Sequence, residues 1–445
     1  MNDITYSANC VIQSLPDIPN FALNTWEMSA YQNKHILIVV ENLPVPFDRR
    51  VWQEANTLKD TGAEVSIICP KMMDYTASYE KINGIEIYRH PLPLEGRGAI
   101  GYLIEYSVAL FWEFYLSWKI YLKKRFHVIQ GCNPPDMIFL VALFFIFLGV
   151  KYVFDHHDVN PELYIAKYNK KGLFFRMMLL FERLTFATAD FSIATNESYR
   201  EIAIKRGKMA EDRIQVVRSG PRLDRLKLLP PDNKYLKGRK YLVGYVGVIG
   251  EQEGIDLLLE SVKHITSIRK DIQFAIVGGG SDLKRIEQLS INMGLTEFVD
   301  FYGRVPDDLM VAILNTADVC VNPDKPTEMN NLSTMNKIME YMALRKPIVQ
   351  YNLKEGRFSA QKASLYARCG DTMDFADKMT QLIDNPELRK QMAEYGYNRV
   401  INELSWDYES VKLTRFYDRI FLRDNARKTR PLIPKQTKTA SPRAA

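Results

Sequence analysis

Ser333-Thr-Met-Asn-Lys337-Ile-Met-Glu340-Tyr-Met-Ala343-Leu-Arg-Lys-Pro347-Ile-Val-Gln350 is the stretch from which the rest of the chain can be read. It predicts a short helix, a turn and a buried strand. Ser333 is the expected helix cap, and Ile338, Tyr341, Met342 and Leu344 supply the apolar face. Pro347 ends the helix, and Ile348-Val349 is too short and apolar to be anything but an interior strand. Lys337 and Glu340, three residues apart, project from one side. Amides from Ser333 through Thr334 to Asn336 would meet an anion at the positive helix end, with Lys337 one turn in. Glu340 lies far enough along to accept hydrogen bonds from sugar hydroxyls beyond that anion. Such a helix suits a nucleoside diphosphate; the plainer reading of Lys337 and Glu340 is a solvated helix face.

Working outward, the second half of the chain repeats one unit. Strands are expected at 241–246, 272–277, 298–302, 319–321 and 348–349, with helices between, the first over 254–268. The first half does the same, with strands at 35–40, 62–70, 85–88, 128–130, 151–154, 191–194 and 214–217. Strand–helix–strand spacing of about thirty residues describes parallel crossover units. Pro230-Pro231-Asp232-Asn233 reads as a linker. The fold class is therefore α/β, two doubly wound domains facing a cleft. The boundaries are a flexible leader over 1–33, a first domain over 34–229 and a second over 238–400. A last helix follows over 404–423, then a disordered basic tail over 426–445.

Lys337-Ile-Met-Glu-Tyr-Met-Ala343 followed by Pro347-Ile-Val resembles the donor-binding helix of GT-B glycosyltransferases, and more narrowly of the retaining glycosyltransferase family 4. The resemblance covers about His35 to Arg423. It implies two Rossmann-like domains, an acceptor-side one and a nucleotide-sugar one, with the last helix crossing back onto the first. In that family two glutamates flank seven residues, and the second binds the donor ribose. Glu340 matches the second; the first falls at Leu332, where Asn331 and its neighbour Asn330 are the substitutes for a sugar contact. Ser333 and Thr334 become donor-binding candidates on the same ground. The resemblance implies a hexosyltransferase that moves sugar from a nucleotide-diphosphate sugar, a substrate and not a cofactor, to a lipid-linked or other glycan acceptor.

Other stretches fit the same frame. Gly278-Gly279-Gly280 follows a strand, where backbone can approach a phosphate closely, although a plain tight turn explains it too. Tyr302-Gly303-Arg304-Val305 resembles the segment whose backbone holds the donor base, and Arg304 can also offer a fork of donors to phosphate. Asp155-His156-His157-Asp158 looks like the loop whose histidine faces the transferred sugar, and His157 lies further beyond the strand end than His156. Arg49, Arg50 and Arg218 are candidates for phosphate or acceptor contacts, with a helix-entry salt bridge or a surface turn as the plainer accounts. The family's arginine and lysine after the first strand of the second domain fall here on Val248 and Glu253. A carboxylate cannot face a diphosphate: at about 4 Å the repulsion is about 4 kcal/mol. Glu253 must turn away, bind a neutral hydroxyl, or belong to a silent partner subunit that binds without transfer.

Composition narrows the classes. Hydrophobic residues make up 47% and charged residues 25% of 445, an ordinary globular balance, and a net charge of +6 does not call for nucleic acid. Five scattered cysteines without a Cys-x-x-Cys pair suggest reduced thiols in the cytoplasm. No signal peptide, membrane span, Asp-x-Asp motif or glycine fingerprint after the first strand is read, which disfavours secretion and dinucleotide oxidoreduction. No metal site is expected, since adjacent histidines do not readily share an ion and no third ligand is in sight. The aromatic-basic segments 102–125 and 164–181 are candidates for peripheral contact with an anionic membrane at its inner face. Core packing of those helices is the competing account.

Overall fold

The computed structural model describes residues 31–92 and 98–428. Its first strand, β1 (His35–Val40), is buried along its whole length, as an apolar strand covered on both faces must be. The first domain continues with α1 (Arg49–Asp60), β2 (Glu64–Pro70), β3 (Tyr79–Ile82), β4 (Ile85–His90), α2 (Gly98–Lys123) and β5 (Val128–Cys132). Then come α3 (Phe139–Ile146), β6 (Lys151–His156), α4 (Asn160–Tyr168), α5 (Leu173–Thr188), β7 (Phe191–Ala194), α6 (Glu197–Lys205) and β8 (Ile214–Val216). The eight strands lie in the order β3-β4-β2-β1-β5-β6-β7-β8. All pairs are parallel except β3 with β4.

The second domain runs β9 (Tyr241–Val246), α7 (Ile255–Ile268), β10 (Ile272–Val277), α8 (Leu283–Asn292), β11 (Val299–Gly303), α9 (Asp307–Thr316) and β12 (Val319–Asn322). It ends with α10 (Glu328–Leu332), α11 (Asn336–Ala343), β13 (Ile348–Tyr351), α12 (Lys354–Ala360), β14 (Ser364–Ala367), α13 (Thr372–Asp384) and α14 (Pro386–Arg399). Its six strands take the order β11-β10-β9-β12-β13-β14. In each sheet the strand order reverses beside the first strand, between β1 and β5 and between β9 and β12. A crevice at the carboxyl ends follows from such a reversal.

The last helix, α15 (Trp406–Lys428), returns to the first domain. Trp406, Leu413, Phe416, Tyr417, Ile420 and Phe421 enter its core, and Trp406 Nε1 donates to Thr57 Oγ1 at 3.0 Å. Each such fully buried large side chain contributes roughly 1.5–3 kcal/mol at most.

Three expectations change. Tyr31, placed in the leader, is buried: its hydroxyl donates to the Thr414 carbonyl at 2.6 Å and its ring meets Phe421 at 5.4 Å. Residues 1–30 of the leader and most of the tail lie outside the described residues. Second, β3 and β4 form an antiparallel hairpin whose turn, Asn83-Gly84, has the positive φ values of 51° and 86° that a two-residue hairpin loop needs. Third, β6 runs two residues further than its apolar run, because Asp155 meets Arg50 and His157 in the interior and the His156 ring packs against Phe154 and Tyr199.

Candidate active site in the interdomain cleft

The first-domain wall is organised by the start of α1. Asp48 caps that helix through Oδ1, which accepts from Val51 N at 3.1 Å, so Arg49 and Arg50 leave its first turn in different directions. Arg50 turns inward. Its guanidinium meets Asp155 Oδ1 at 3.0 Å, Glu54 Oε1 at 2.9 Å and the Val217 carbonyl at 2.9 Å, and its Nε lies 3.0 Å from His157 Nε2. His157 Nε2 is also 2.8 Å from Asp155 Oδ2. Neutral, that nitrogen accepts from Arg50; protonated, it donates to Asp155. Burial lowers the affinity of His157 for a proton, but the Asp155 carboxylate outweighs it and leaves the pKa raised. Burial would raise Asp155 too, yet Arg50 and His157 hold it well below the usual carboxylate range. Asn133 fixes the loop by accepting from His157 N at 2.7 Å and Asp158 N at 3.2 Å.

His156 is a core residue, stacked on Phe154 at 5.3 Å and on Tyr199 at 4.8 Å, with burial pulling its pKa to about 3. His157, the histidine expected to face the transferred sugar, is the more open of the two, with its side chain 11% exposed. The expectation that no third metal-type ligand comes near is wrong, since Cys132, Asp155 and His157 offer atoms within 4.8 Å of one another. Arg50 already sets a fixed positive charge on two of them, so they do not form a cation site.

On the second-domain wall, α11 starts at Asn336, later than expected, and Ser333 ends α10 instead of capping α11. Ser333 and Thr334 are held extended between the two short helices by the first domain. Ser333 Oγ meets Tyr199 OH at 3.0 Å, and Thr334 Oγ1 accepts from Asn196 Nδ2 at 3.1 Å and Arg218 Nη1 at 3.3 Å. Lys337 is the second helical residue, not one turn in, and its side chain is only 10% exposed. It pairs with Asp324 at 3.0 Å and lies 4.8 Å over the Tyr245 ring. Burial opposes its charge, but Asp324 more than restores it. The solvated face that was the plainer reading of Lys337 is absent because the loop after β12 brings a carboxylate inward to meet it.

Glu340 does face the cleft, where it pairs with Arg225 and with Arg49 at 3.4 Å. Asp307 joins both arginines, at 3.2 Å from Arg225 and 2.5 Å from Arg49. A cavity of about 350 Å³ opens here, lined among others by Arg49, Arg50, Arg225, Asp307, Asn336 and Glu340. Arg304 reaches across from the second domain, with its guanidinium 5.1 Å from the Phe47 ring and 3.3 Å from Met73 Sδ. Val305 packs beside it on the second-domain core.

The glycine run serves packing first. A Cβ at Gly278 or Gly280 would lie 1.7 Å or 2.2 Å from the carbonyl oxygens of Gly247 and Ile249, whereas at Gly279 the first neighbour is Arg304 Cβ at 3.9 Å. Glu253 turns back on its own turn, where Oε2 accepts from Gly250 N at 3.1 Å, and burial raises its pKa. Turning away was one of three outcomes open for it.

Two expected contacts are not available. Asn331 Oδ1 accepts from Lys354 N at 2.8 Å and the Asn330 amide donates to the Gln252 and Lys325 carbonyls, so neither replaces the missing first glutamate. Leu332 at that position packs against the first-domain core. Arg218 is buried as a clamp between domains, 3.5 Å from Glu355 and 4.2 Å over Phe358, and does not point at a phosphate. Sequence reasoning missed Glu54, Gln130, Arg225, Asp307, Asp324 and Glu355. A carboxylate or amide inside an apolar strand, as in Val128-Ile-Gln130, was the available signal for the interior ones.

Residues 48–220 match the family described as "Glycosyl transferase 4-like domain", and residues 231–399 match "Glycosyl transferases group 1". Together they take in well over half of the chain and meet at the hinge between the two domains. The chain is a GT-B glycosyltransferase. Relatives of this glycosyltransferase include the alpha-D-kanosaminyltransferase of Streptomyces kanamyceticus, 26% identical over 34% of this chain and 39% of that protein. The Staphylococcus aureus capsular polysaccharide biosynthesis glycosyltransferase CapM is 26% identical over 57% of this chain and 68% of its own. The chain spans less than half the length of the first of these relatives. Among solved structures, sucrose-phosphate synthase from Thermosynechococcus elongatus superposes with a TM-score of 0.73 at 17% identity, covering 88% of this chain and 100% of that one. Anabaena HepE in complex with UDP and glucose gives 0.66 at 13% identity, covering 87% and 100%.

Proposed function

We propose that this glycosyltransferase moves a hexose from a nucleotide-diphosphate sugar to a lipid-linked or polysaccharide acceptor, with retention at the anomeric carbon. The observation that carries the reading is the cavity at the carboxyl ends of both sheets, where Glu340 faces Arg49 and Arg225, and where Arg50 lines the first-domain side with His157 at 3.0 Å behind it. In this reading the donor ribose takes the place of the arginines on Glu340. The released guanidinium groups, with Arg304, then stabilise the leaving diphosphate as fixed cations. His157 meets the transferred sugar. HepE carries UDP and glucose by its description, and CapM is described as a capsular polysaccharide biosynthesis glycosyltransferase, which supports the donor and acceptor classes.

The test is a thermal-shift screen of UDP, GDP, ADP and their sugars. A nucleotide at 100 times its dissociation constant should add about 2.7 kcal/mol of stability, and no shift with any of them would overturn the reading. A second reading, a partner subunit that binds without transfer, draws on Val248 and Glu253 standing at the family's two cationic positions. Slow hydrolysis of a bound nucleotide sugar by the pure protein would exclude it.

Site of action belongs to the same proposal. No helix among the described residues is long and apolar enough to cross a membrane. Yet α2, α3 and α5 leave Phe111, Tyr115, Phe144, Phe147, Leu173 and Leu180 exposed, and Lys167, Lys170, Lys171 and Arg176 are exposed beside α5. The basic end of α2 is already engaged, since Lys123 and Lys124 pair with Glu86 and Glu64. We assign the α5 side to an anionic membrane surface at its cytoplasmic face. Sedimentation with anionic vesicles at low salt, reversed at high salt, is the expected result; a protein left in the supernatant would point to a soluble acceptor.

A further inference from the structure

Tyr417 belongs to α15, the last helix of the chain, yet its side chain is fully buried in the first domain. Its hydroxyl donates to Gln130 Oε1 at 2.5 Å. That bond decides which way round the amide stands, because the two ends of a glutamine amide have nearly the same shape and opposite hydrogen-bonding character. With Oε1 held by Tyr417, Gln130 Nε2 faces Glu54 Oε2 at 2.7 Å and Asp155 Oδ2 at 2.8 Å. The same Asp155 oxygen lies 2.8 Å from His157 Nε2. Gln130, Glu54 and Asp155 are all completely buried, so water does not substitute for any of these contacts.

We infer that Tyr417 is a positioning residue for His157: it orients the Gln130 amide so that its NH2 group steadies Asp155 and Glu54, and through Asp155 it holds the imidazole at the cleft. The contact chain stands on geometry alone; only its effect on turnover rests on the role given to His157 above.

The consequence of removing the phenol hydroxyl follows from charge. Freed from Tyr417, the amide can turn its NH2 group away from Asp155. Glu54, which burial pushes to a pKa of about 8, already carries its proton at neutral pH and adds no charge of its own. The Asp155 carboxylate, short of one donor, faces the imidazole with more uncompensated charge, and the proton affinity of His157 rises. The other titratable or charged groups around His157 are Arg50, Asp48, Cys132 and its neighbours His156 and Asp158, and none is altered by the change.

The experiment is a histidine-labelled NMR titration of the full chain, with the His157 signal assigned by its loss in His157→Gln. In Tyr417→Phe, which conserves volume, His157 should titrate higher by about half a pH unit or more, while His35, His90, His127 and His264 keep their midpoints. Gln130→Met should give the same displacement without touching α15, and it carries the test if Tyr417→Phe does not fold. An unchanged His157 midpoint in the folded variants overturns the inference. A displaced midpoint with unchanged hydrolysis of UDP-glucose keeps the positioning role and overturns the assignment of His157 to the sugar.

Discussion

The two walls of the cleft hold their charges in opposite ways. On the first-domain wall Arg50, Glu54 and Asp155 are sealed in the interior, each with at least two partners. On the second-domain wall Glu340 and Asp307 meet Arg49 and Arg225 in the open cavity, and Arg49 is 52% exposed. A buried pair loses an uncompensated charge's worth of stability when one member goes, so it fixes geometry. An exposed pair contributes little and can exchange its partner for a ligand. The sealed wall therefore positions, and the open wall binds.

That comparison can be broken most sharply at Lys337. It sits on the binding wall but is built like the positioning wall, with Asp324 as its buried partner. Lys337→Ala should cost about 3–5 kcal/mol in urea unfolding, the scale for a stranded buried charge. A loss below about 1 kcal/mol would show that the pair is solvated after all. Turnover of this variant reports on folding as much as on chemistry, so Arg304, exposed and unpaired with any acid among the described contacts, is the cleaner probe. Arg304→Ala should leave the fold intact and lower transfer about 100-fold, as one lost transition-state donor does. Near-normal transfer would move the diphosphate cations to Arg49 and Arg225.

Glu340→Gln keeps the shape of the side chain and should weaken nucleotide binding by roughly 1.5–3 kcal/mol by calorimetry. Unchanged affinity would remove Glu340 from the donor site. A smaller effect is expected from Glu113 on α2, the limiting case of a buried acid: both oxygens lack a partner, and burial, then Glu41, raises its pKa to about 8. A raised carboxyl stabilises the fold below its unfolded value near 4.5 and loses that contribution as pH climbs through about 8. Stability should fall between those limits, and Glu113→Gln should flatten the fall by about 1–3 kcal/mol. Smallest of all, Arg49→Ala should change unfolding stability by less than about 1 kcal/mol. A larger loss would mean that the open wall is not open.

The alternation of strands and helices was legible because buried parallel strands are apolar runs and their connections are long enough to count. Glu340 was legible as a cleft residue because it stands along a helix whose end was marked by Pro347. Lys337 was misread for a physical reason. Sequence spacing shows which face of a helix a lysine leaves, but Asp324 arrives from the loop after another strand. Arg225 was invisible on the same ground: nothing local to the hinge says that it will meet a glutamate 115 positions further on. Tyr417 was not singled out at all, since a hydroxyl on a core helix declares its partner only when the sheet beneath it is in place.

The return of α15 also has a meaning in time. The first domain is synthesised before the second, yet part of its core, from Trp406 to Phe421, follows the second domain out of the ribosome. Until then an apolar face of the α1 side has no cover, and the emerging chain must wait or be shielded by chaperones. A chain ending before Trp406 should accordingly be cut by protease in its first domain while its second domain resists. Both ends of the described chain close on the same spot, where Tyr31 meets Thr414 and Phe421. The stability of the first domain is thereby tied to synthesis of the α15 segment, so a copy stopped before Trp406 exposes itself to degradation.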